Sequence, residues 1–547
     1  MAGRAWMLPL LAGLGLAGVT HAAGVEVRLR LLTPDALEAS YTLPPGCRAL
    51  PFLKNGRDGL ETRRSLQPQD DCGKAGADQL TRGPQACAAL RFRVPAAIEQ
   101  AGYPAAFPMG QGLYAHLSNY AVGDACGPVS YRLEAPWVAA AGRTWQQQAD
   151  ARGADASALL LFVPPEQGAS GIPAYFDPRL PPAAVAHIRK VADGTIDFLR
   201  RALPNADYQP PIVGASRVEG PGGPRIGGDA GDVLRLALYN WPQQPGRDEE
   251  AKLTKLVAHE FSHRFQLRDA VDVYRDARLI HEGGGEFLRW ITSVRQGWMT
   301  QAEAAEVLDD SLAECMLGTG TSRWRDLPPR VAAANGLPYS CGLAAYAYLL
   351  AARQGGGTAL ARVDGFYREV RLGTLPDFGR ALECGTAPAR CRARWSTALL
   401  DGDLPMGEQW PLFLRQTGLA TPRAPTQAQR DAMVVGAVMQ LMREDCGGRL
   451  DSLAAPDGMI LGGMKACQTF RKDAYVTRIE GLPTFGNAGT GAAMAAACGA
   501  RKRVTLGLKE GGTLEVPCAT PYLLRSVFWH VDIAKVLQAL DRENEPM

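Results

Sequence analysis

The residues best placed to do chemistry together in this 547-residue chain are His259-Glu260-Phe261-Ser262-His263. On a helix, positions i and i+4 share a face with Cβ atoms roughly 5 to 6 Å apart, so both imidazoles can converge on one cation. Glu260 directly follows the first histidine, which sets its carboxylate beside the open coordination position, able to take a proton from metal-bound water. The chain has only seven histidines, so composition alone seldom produces such a pair. A catalytic zinc also takes a third protein ligand. Glu282 offers one, nineteen residues beyond His263 in Leu279-Ile280-His281-Glu282-Gly283-Gly284-Gly285-Glu286-Phe287. Glu286 either holds a ligand histidine from behind or is itself the third ligand, and the first role is favoured. The His281 side chain points about a hundred degrees away from that of Glu282 on a helix, which makes it a structural neighbour of the site.

The elements around these residues follow from their patterning. Asp248, Glu249 and Glu250 suit the first turn of an amphipathic helix carrying the histidines. Upstream, Leu159 to Val163 reads as a strand, and Val185, Ile188, Val191, Ile196 and Leu199 predict a helix over Pro182 to Leu203. The Gly-rich segment Gly222 to Asp232 lacks a Gly-Lys-Ser/Thr element and precedes a strand instead of opening a helix, so it is a loop and not a phosphate cradle. The run Val233 to Tyr239 that follows is a candidate edge strand on which an extended substrate would lie. Beyond Glu282 the pattern is mostly helical to about Thr417, and the Pro- and Thr-containing stretch Ala420 to Thr426 reads as a joint. Strand-like runs at Tyr475 to Ile479, Val504 to Leu508 and Thr513 to Val516, with a turn at Lys509 to Gly512, predict a small β domain closed by a helix near Val531 to Leu540.

With the third carboxylate in place, the chain resembles the gluzincins, in particular the aminopeptidase and leukotriene-A hydrolase family, whose HExxH motif is followed after eighteen residues by a ligand glutamate in a WLNEG-like segment. His281 stands where that family usually has Asn, and Gly284-Gly285 where bulkier residues occur. Pro338-Tyr339-Ser340-Cys341-Gly342 is similar to the family's PYEKG-like element, which implies that Tyr339 steadies the oxyanion; the family's lysine is replaced by Cys341, a candidate for pairing with Cys315. The GxMEN element that anchors a free amino terminus is matched by Gly227-Gly228-Asp229-Ala230-Gly231, without its glutamate and with Asp229 as a possible substitute. The resemblance implies an α+β fold with a thermolysin-like zincin domain, a small sheet plus a mostly helical lobe. It implies one Zn²⁺ per chain on His259, His263 and Glu282, with Glu260 as general base, Tyr339 as oxyanion donor and Glu286 behind a ligand. The substrate would be a peptide or protein. A zinc hydrolase acting on a non-peptide substrate and a non-catalytic binding protein on the same scaffold are the alternatives.

Composition bounds the setting. Arg4 precedes an apolar run, Trp6 to Val19, that ends in small residues, which predicts a signal peptide over 1–22 and a periplasmic or secreted product. No later run is long and apolar enough to span a bilayer. Twelve cysteines in an exported chain predict disulfides, and they fall into three regional groups: Cys47, Cys72, Cys87 and Cys126; Cys315, Cys341, Cys384 and Cys391; Cys446, Cys467, Cys498 and Cys518. No pair has the CxxC spacing of a thiolate zinc site. A net charge of +3 with basic and acidic residues interspersed gives no nucleic-acid footprint. The predicted organisation is a β-rich domain over 24–150, the catalytic domain over 155–420, and a small C-terminal domain over 427–547, which looks PDZ-like.

Overall fold

A computed structural model describes residues 24–542 apart from 54–61, 86, 99–104, 141, 152–157, 163–173, 209, 221–222, 232, 267–270, 328–335, 386–390, 447–451, 456, 463–466, 520–521 and 523. The signal peptide predicted over 1–22 lies outside the described residues. The chain is a mixed α+β structure that divides into two compact units, one of residues 1–180 and 211–242 and one of residues 181–210 and 243–547.

The first unit is built on strands because its apolar residues alternate. In Val25–Thr33, Val25, Val27 and Leu29 are buried while Glu26, Arg28 and Arg30 face outward, the period of two that a strand with one covered face requires. This strand lies beside Ala36–Thr42 and, in parallel, beside the long Val129–Ala140, inside a nine-stranded sheet. Ala158–Phe162 pairs with Val129–Ala140 and Gly112–His116 in that same sheet, although its sequence position suggested the start of the catalytic domain; strand pairing over such distances leaves no local trace. A second sheet holds β1 (Ala174–Phe176), β2 (Ile212–Val218), β3 (Arg225–Ala230) and β4 (Val233–Tyr239) in the order β1-β2-β4-β3. β4 is therefore interior and not the edge strand expected from its sequence. Its apolar run is covered because the Gly-rich segment before it forms β3, which pairs antiparallel with it and takes the edge. Disulfides Cys47–Cys126 and Cys72–Cys87 staple this unit.

The second unit is mostly helical. Its helices are α1 (Pro182–Ala202), α2 (Arg247–Ser262), α3 (Ala277–Arg295), α4 (Gln301–Thr319), α5 (Leu337–Ala351) and α6 (Ala359–Arg371), and all of these but α2 give buried residues to one large apolar core. α5 is apolar on all sides: from Leu337 to Leu350 every residue except Tyr339 is buried. Cys315–Cys341 ties it to α4, and Cys384–Cys391, Cys446–Cys467 and Cys498–Cys518 complete pairing within the three cysteine groups. Residues 452–517 contribute a separate antiparallel sheet with its own small core. The final helix, Ile533–Asp541, does not close that sheet as its position suggested. Val536, Leu537 and Leu540 form an apolar stripe buried in the large core, and the strand before it, Phe528–Val531, pairs with Ala420–Arg423.

Candidate metal centre

The site is assembled at the ends of two helices of the second unit. α2 opens with Asp248, Glu249 and Glu250 in its first turn, and the Glu249 carboxylate accepts from the Gly246 backbone N–H at 2.9 Å. Acids there satisfy free N–H groups and complement the helix dipole. Leu253, Val257, Ala258 and Phe261 sink one face of the helix into the core, which carries His259 and Glu260 into the interior at 7% and 8% exposure. His263 begins the 3-10 turn His263–Phe265 that continues the helix, so the i, i+4 relation is kept.

α3 presents Glu282, and the three glycines after it exist for space. A Cβ on Gly283 would meet Gly342 Cα of α5 at 2.3 Å. A Cβ on Gly284 would meet Gln266 Nε2 at 2.3 Å, and one on Gly285 would meet His263 Cε1 at 2.8 Å and His259 Cε1 at 3.2 Å. Mid-helix glycine costs about 1 kcal/mol relative to alanine. Here it lets α5 and both imidazoles lie directly on the α3 backbone.

His259 Nε2 and His263 Nε2 are 2.9 Å apart, and Glu282 Oε2 lies 3.6 Å and 3.4 Å from them. The other ring nitrogens are held from behind. His259 Nδ1 is 2.9 Å from Glu286 Oε1, and His263 Nδ1 is 2.7 Å from Gln266 Oε1. Glu286 is buried against Arg289, whose Nε donates to Oε2 at 3.1 Å. The Gln266 oxygen behind His263 places that ring's proton on Nδ1, and the Glu286 carboxylate beside His259 Nδ1 favours the same tautomer there, so with both rings neutral two Nε2 lone pairs and a carboxylate oxygen face one another. That arrangement is repulsive by itself and matches the two-histidine, one-glutamate donor set of catalytic zinc. The residues present therefore fit a zinc ion.

Burial alone would lower the His259 pKa, but the carboxylates of Glu282 and Glu286 and the nearby charge of Glu260 hold it up at about 9, so a metal bound at Nε2 would displace a proton from this ring. Burial would raise the Glu282 carboxyl, yet the two histidines draw it far below the usual range; Glu286 is likewise drawn down against burial, chiefly by Arg289 and His259. The Tyr339 ring stacks on His259 at 5.6 Å between centroids, with its hydroxyl in the field of the Glu282 carboxylate. Burial, then Glu282, push the Tyr339 pKa well above its ordinary value, so the phenol keeps its proton. The His281 ring stacks on His263 at 4.1 Å.

Gln266, Tyr367 and Arg278 were not identified from sequence. Arg278 contacts Glu282 Oε1 at 3.4 Å, one turn earlier on α3. A polar residue three positions after His263 is the local signal that points to Gln266; Tyr367, from α6, left none. Asp229 lies in the first unit, on β3, where its Oδ2 accepts from the Tyr114 hydroxyl at 2.8 Å and lies 2.7 Å from His116 Nε2. Burial would raise its pKa, but His116 and Tyr114 bring it below the ordinary value. This carboxylate is already engaged. A second convergence, Asp445 with Cys446 and Cys467, is a disulfide beside a carboxylate that accepts from the Thr469 and Phe470 backbone N–H groups.

No protein-family model matches the chain, and no curated protein matches it. Among solved structures, an M1 zinc metallopeptidase from Deinococcus radiodurans aligns over 71% of this chain and 92% of its own, at 13% identity and a TM-score of 0.33. An aminopeptidase N family protein from Idiomarina loihiensis aligns over 95% of this chain and 100% of its own, at 14% identity and a TM-score of 0.55. What this chain shares with the Idiomarina loihiensis protein, across nearly its whole length, is the fold of an aminopeptidase N family protein.

Proposed function

We propose that the protein is a zinc metallopeptidase, with His259, His263 and Glu282 holding one Zn²⁺. The observation that carries this reading is the convergence of two Nε2 lone pairs and Glu282 Oε2, with both imidazoles braced from behind. Zinc bound there would polarise a scissile carbonyl and bring the pKa of a bound water toward neutrality. Glu260, the residue between the two histidine turns, accepts the water's proton and returns it to the leaving amine. Tyr339, kept protonated, donates a hydrogen bond to the carbonyl oxygen as it gains charge. Glu286 fixes the His259 ring and Arg289 fixes Glu286.

The shared fold supports a peptide or protein as substrate. The engagement of Asp229 with His116 and Tyr114 favours cleavage that does not depend on that carboxylate to anchor a free amino terminus. Six disulfides among the described residues support export to an oxidising compartment, and among those residues no helix is long and apolar enough to cross a membrane. The test is cleavage of a peptide library with free and blocked amino termini by the zinc-loaded protein. Hydrolysis of both sets supports the reading. A zinc-loaded protein that cleaves neither contradicts it, and turns attention to non-peptide substrates.

A further inference from the structure

We infer that Gln266 is a positioning residue: it selects the His263 tautomer that leaves Nε2 free for a metal, and it ties that ring to the α3 backbone immediately before Glu282. The inference rests on the zinc reading above. Its logic starts at a backbone carbonyl. The Gln266 side-chain amide lies 3.0 Å from the carbonyl oxygen of His281 and 2.7 Å from the Tyr367 hydroxyl. A carbonyl can only accept, so the amide group turned toward it is the NH₂, and the oxygen is turned toward His263 Nδ1 at 2.7 Å. An amide oxygen also only accepts. Nδ1 must then carry the proton, and Nε2 presents its lone pair toward His259 and Glu282.

The relay is buried throughout. Gln266 is 8% exposed, Tyr367 2% and Tyr346 0%. The Tyr346 hydroxyl donates to the Ile280 carbonyl at 3.0 Å and lies 3.4 Å from that of Tyr367, so both anchors of the network fall on Ile280 and His281 of α3. Gly284 is the slot that admits it: a Cβ there would meet Gln266 Nε2 at 2.3 Å and both tyrosine hydroxyls at 2.9 Å. The two histidines are thus braced differently, His259 by a carboxylate and His263 by a neutral amide whose orientation α3 dictates.

The experiment is zinc affinity by chelator competition on the full chain, with apo-protein melting recorded in parallel. Loss of a group that orients a metal-binding histidine typically weakens metal binding about 10- to 100-fold. Gln266→Leu should do so while the apo protein stays folded and melts lower than wild type, because its buried partners lose a hydrogen bond, and Gln266→Glu, which restores an acceptor to Nδ1, should recover part of the loss in zinc affinity. Gly284→Ala should weaken zinc in the same direction from the other helix, without altering any ligand. Gln266→Leu binding zinc within twofold of wild type overturns the inference. If that variant does not fold, Tyr367→Phe decides: weaker zinc binding supports the relay, unchanged binding overturns it. A wild-type protein that fails to take up zinc instead overturns the underlying assignment, and the two failures are separable.

Discussion

Replacing Gly283 by alanine should damage both stability and turnover, though residue 283 touches neither metal nor substrate in the proposed mechanism. The added Cβ would sit 2.3 Å from Gly342 Cα and 3.1 Å from the Pro338 carbonyl oxygen. Carbon atoms rest about 3.5 to 4 Å apart, so the shortfall is roughly 1.2 Å. Both obstacles are backbone, and no side chain can swing aside; α3 and α5 must separate by about an ångström. Overpacking of this kind costs about 1 to 3 kcal/mol. α3 carries Glu282 and α5 carries Tyr339, so the same shift pulls the phenol from the site, and a misplacement of about 1 Å can cost on the order of 100-fold in rate. Urea unfolding and kcat on a cleaved peptide measure the two effects. Gly365→Ala is the control, because a Cβ there meets nothing within 4 Å and the residue lies inside α6; it should stabilise by about 0.5 to 1 kcal/mol. A Gly283→Ala protein as stable and as active as wild type would refute the claim that this glycine contact sets the helix spacing.

Other perturbations have equally definite outcomes. Glu286→Gln strips Arg289, 2% exposed, of its buried carboxylate and should cost about 3 kcal/mol by denaturant titration while weakening zinc binding at least tenfold by chelator competition. Opening the Cys315–Cys341 disulfide by a double serine replacement releases a cross-link of 26 residues' separation, worth about 3.5 kcal/mol on the chain-entropy model, and should lower kcat by loosening the helix that bears Tyr339. Burial holds the His187 pKa below its ordinary 6.5, so the folded state resists its protonation; the stability it contributes is full above about pH 6.5 and is lost as pH falls toward the lowered value. Urea midpoints compared between pH 7.5 and 5.5 should fall less in His187→Gln than in wild type.

What was legible in the sequence was what is local. Two histidines one helical turn apart announce themselves because a helix fixes their relation, and a lone carboxylate at a meaningful distance could be found by counting. The strands Ala474–Ile479 and Arg503–Leu508 lie within a residue of where alternation put them. What stayed hidden depends on partners distant in the chain. The run Val233–Tyr239 is a strand as read, but whether it is interior or edge is decided by what pairs beside it. The three glycines after Glu282 looked only like a departure from a family pattern, since the helix and side chains that need their space come from residues 259–266, 338–346 and 367. Tyr367 stands 101 residues from the amide it binds. The cysteines are intermediate: grouping by region limited the pairing, and the fold chose the pairs.

The central claim is one zinc ion on His259, His263 and Glu282 with Glu260 moving the proton, and the most direct measurement is zinc content and peptide hydrolysis of the wild type beside Glu260→Gln. The account predicts one zinc per chain in both proteins and a loss of about 100- to 10,000-fold in kcat in the variant. Turnover retained by Glu260→Gln, or a wild-type chain that takes up no zinc, would contradict it.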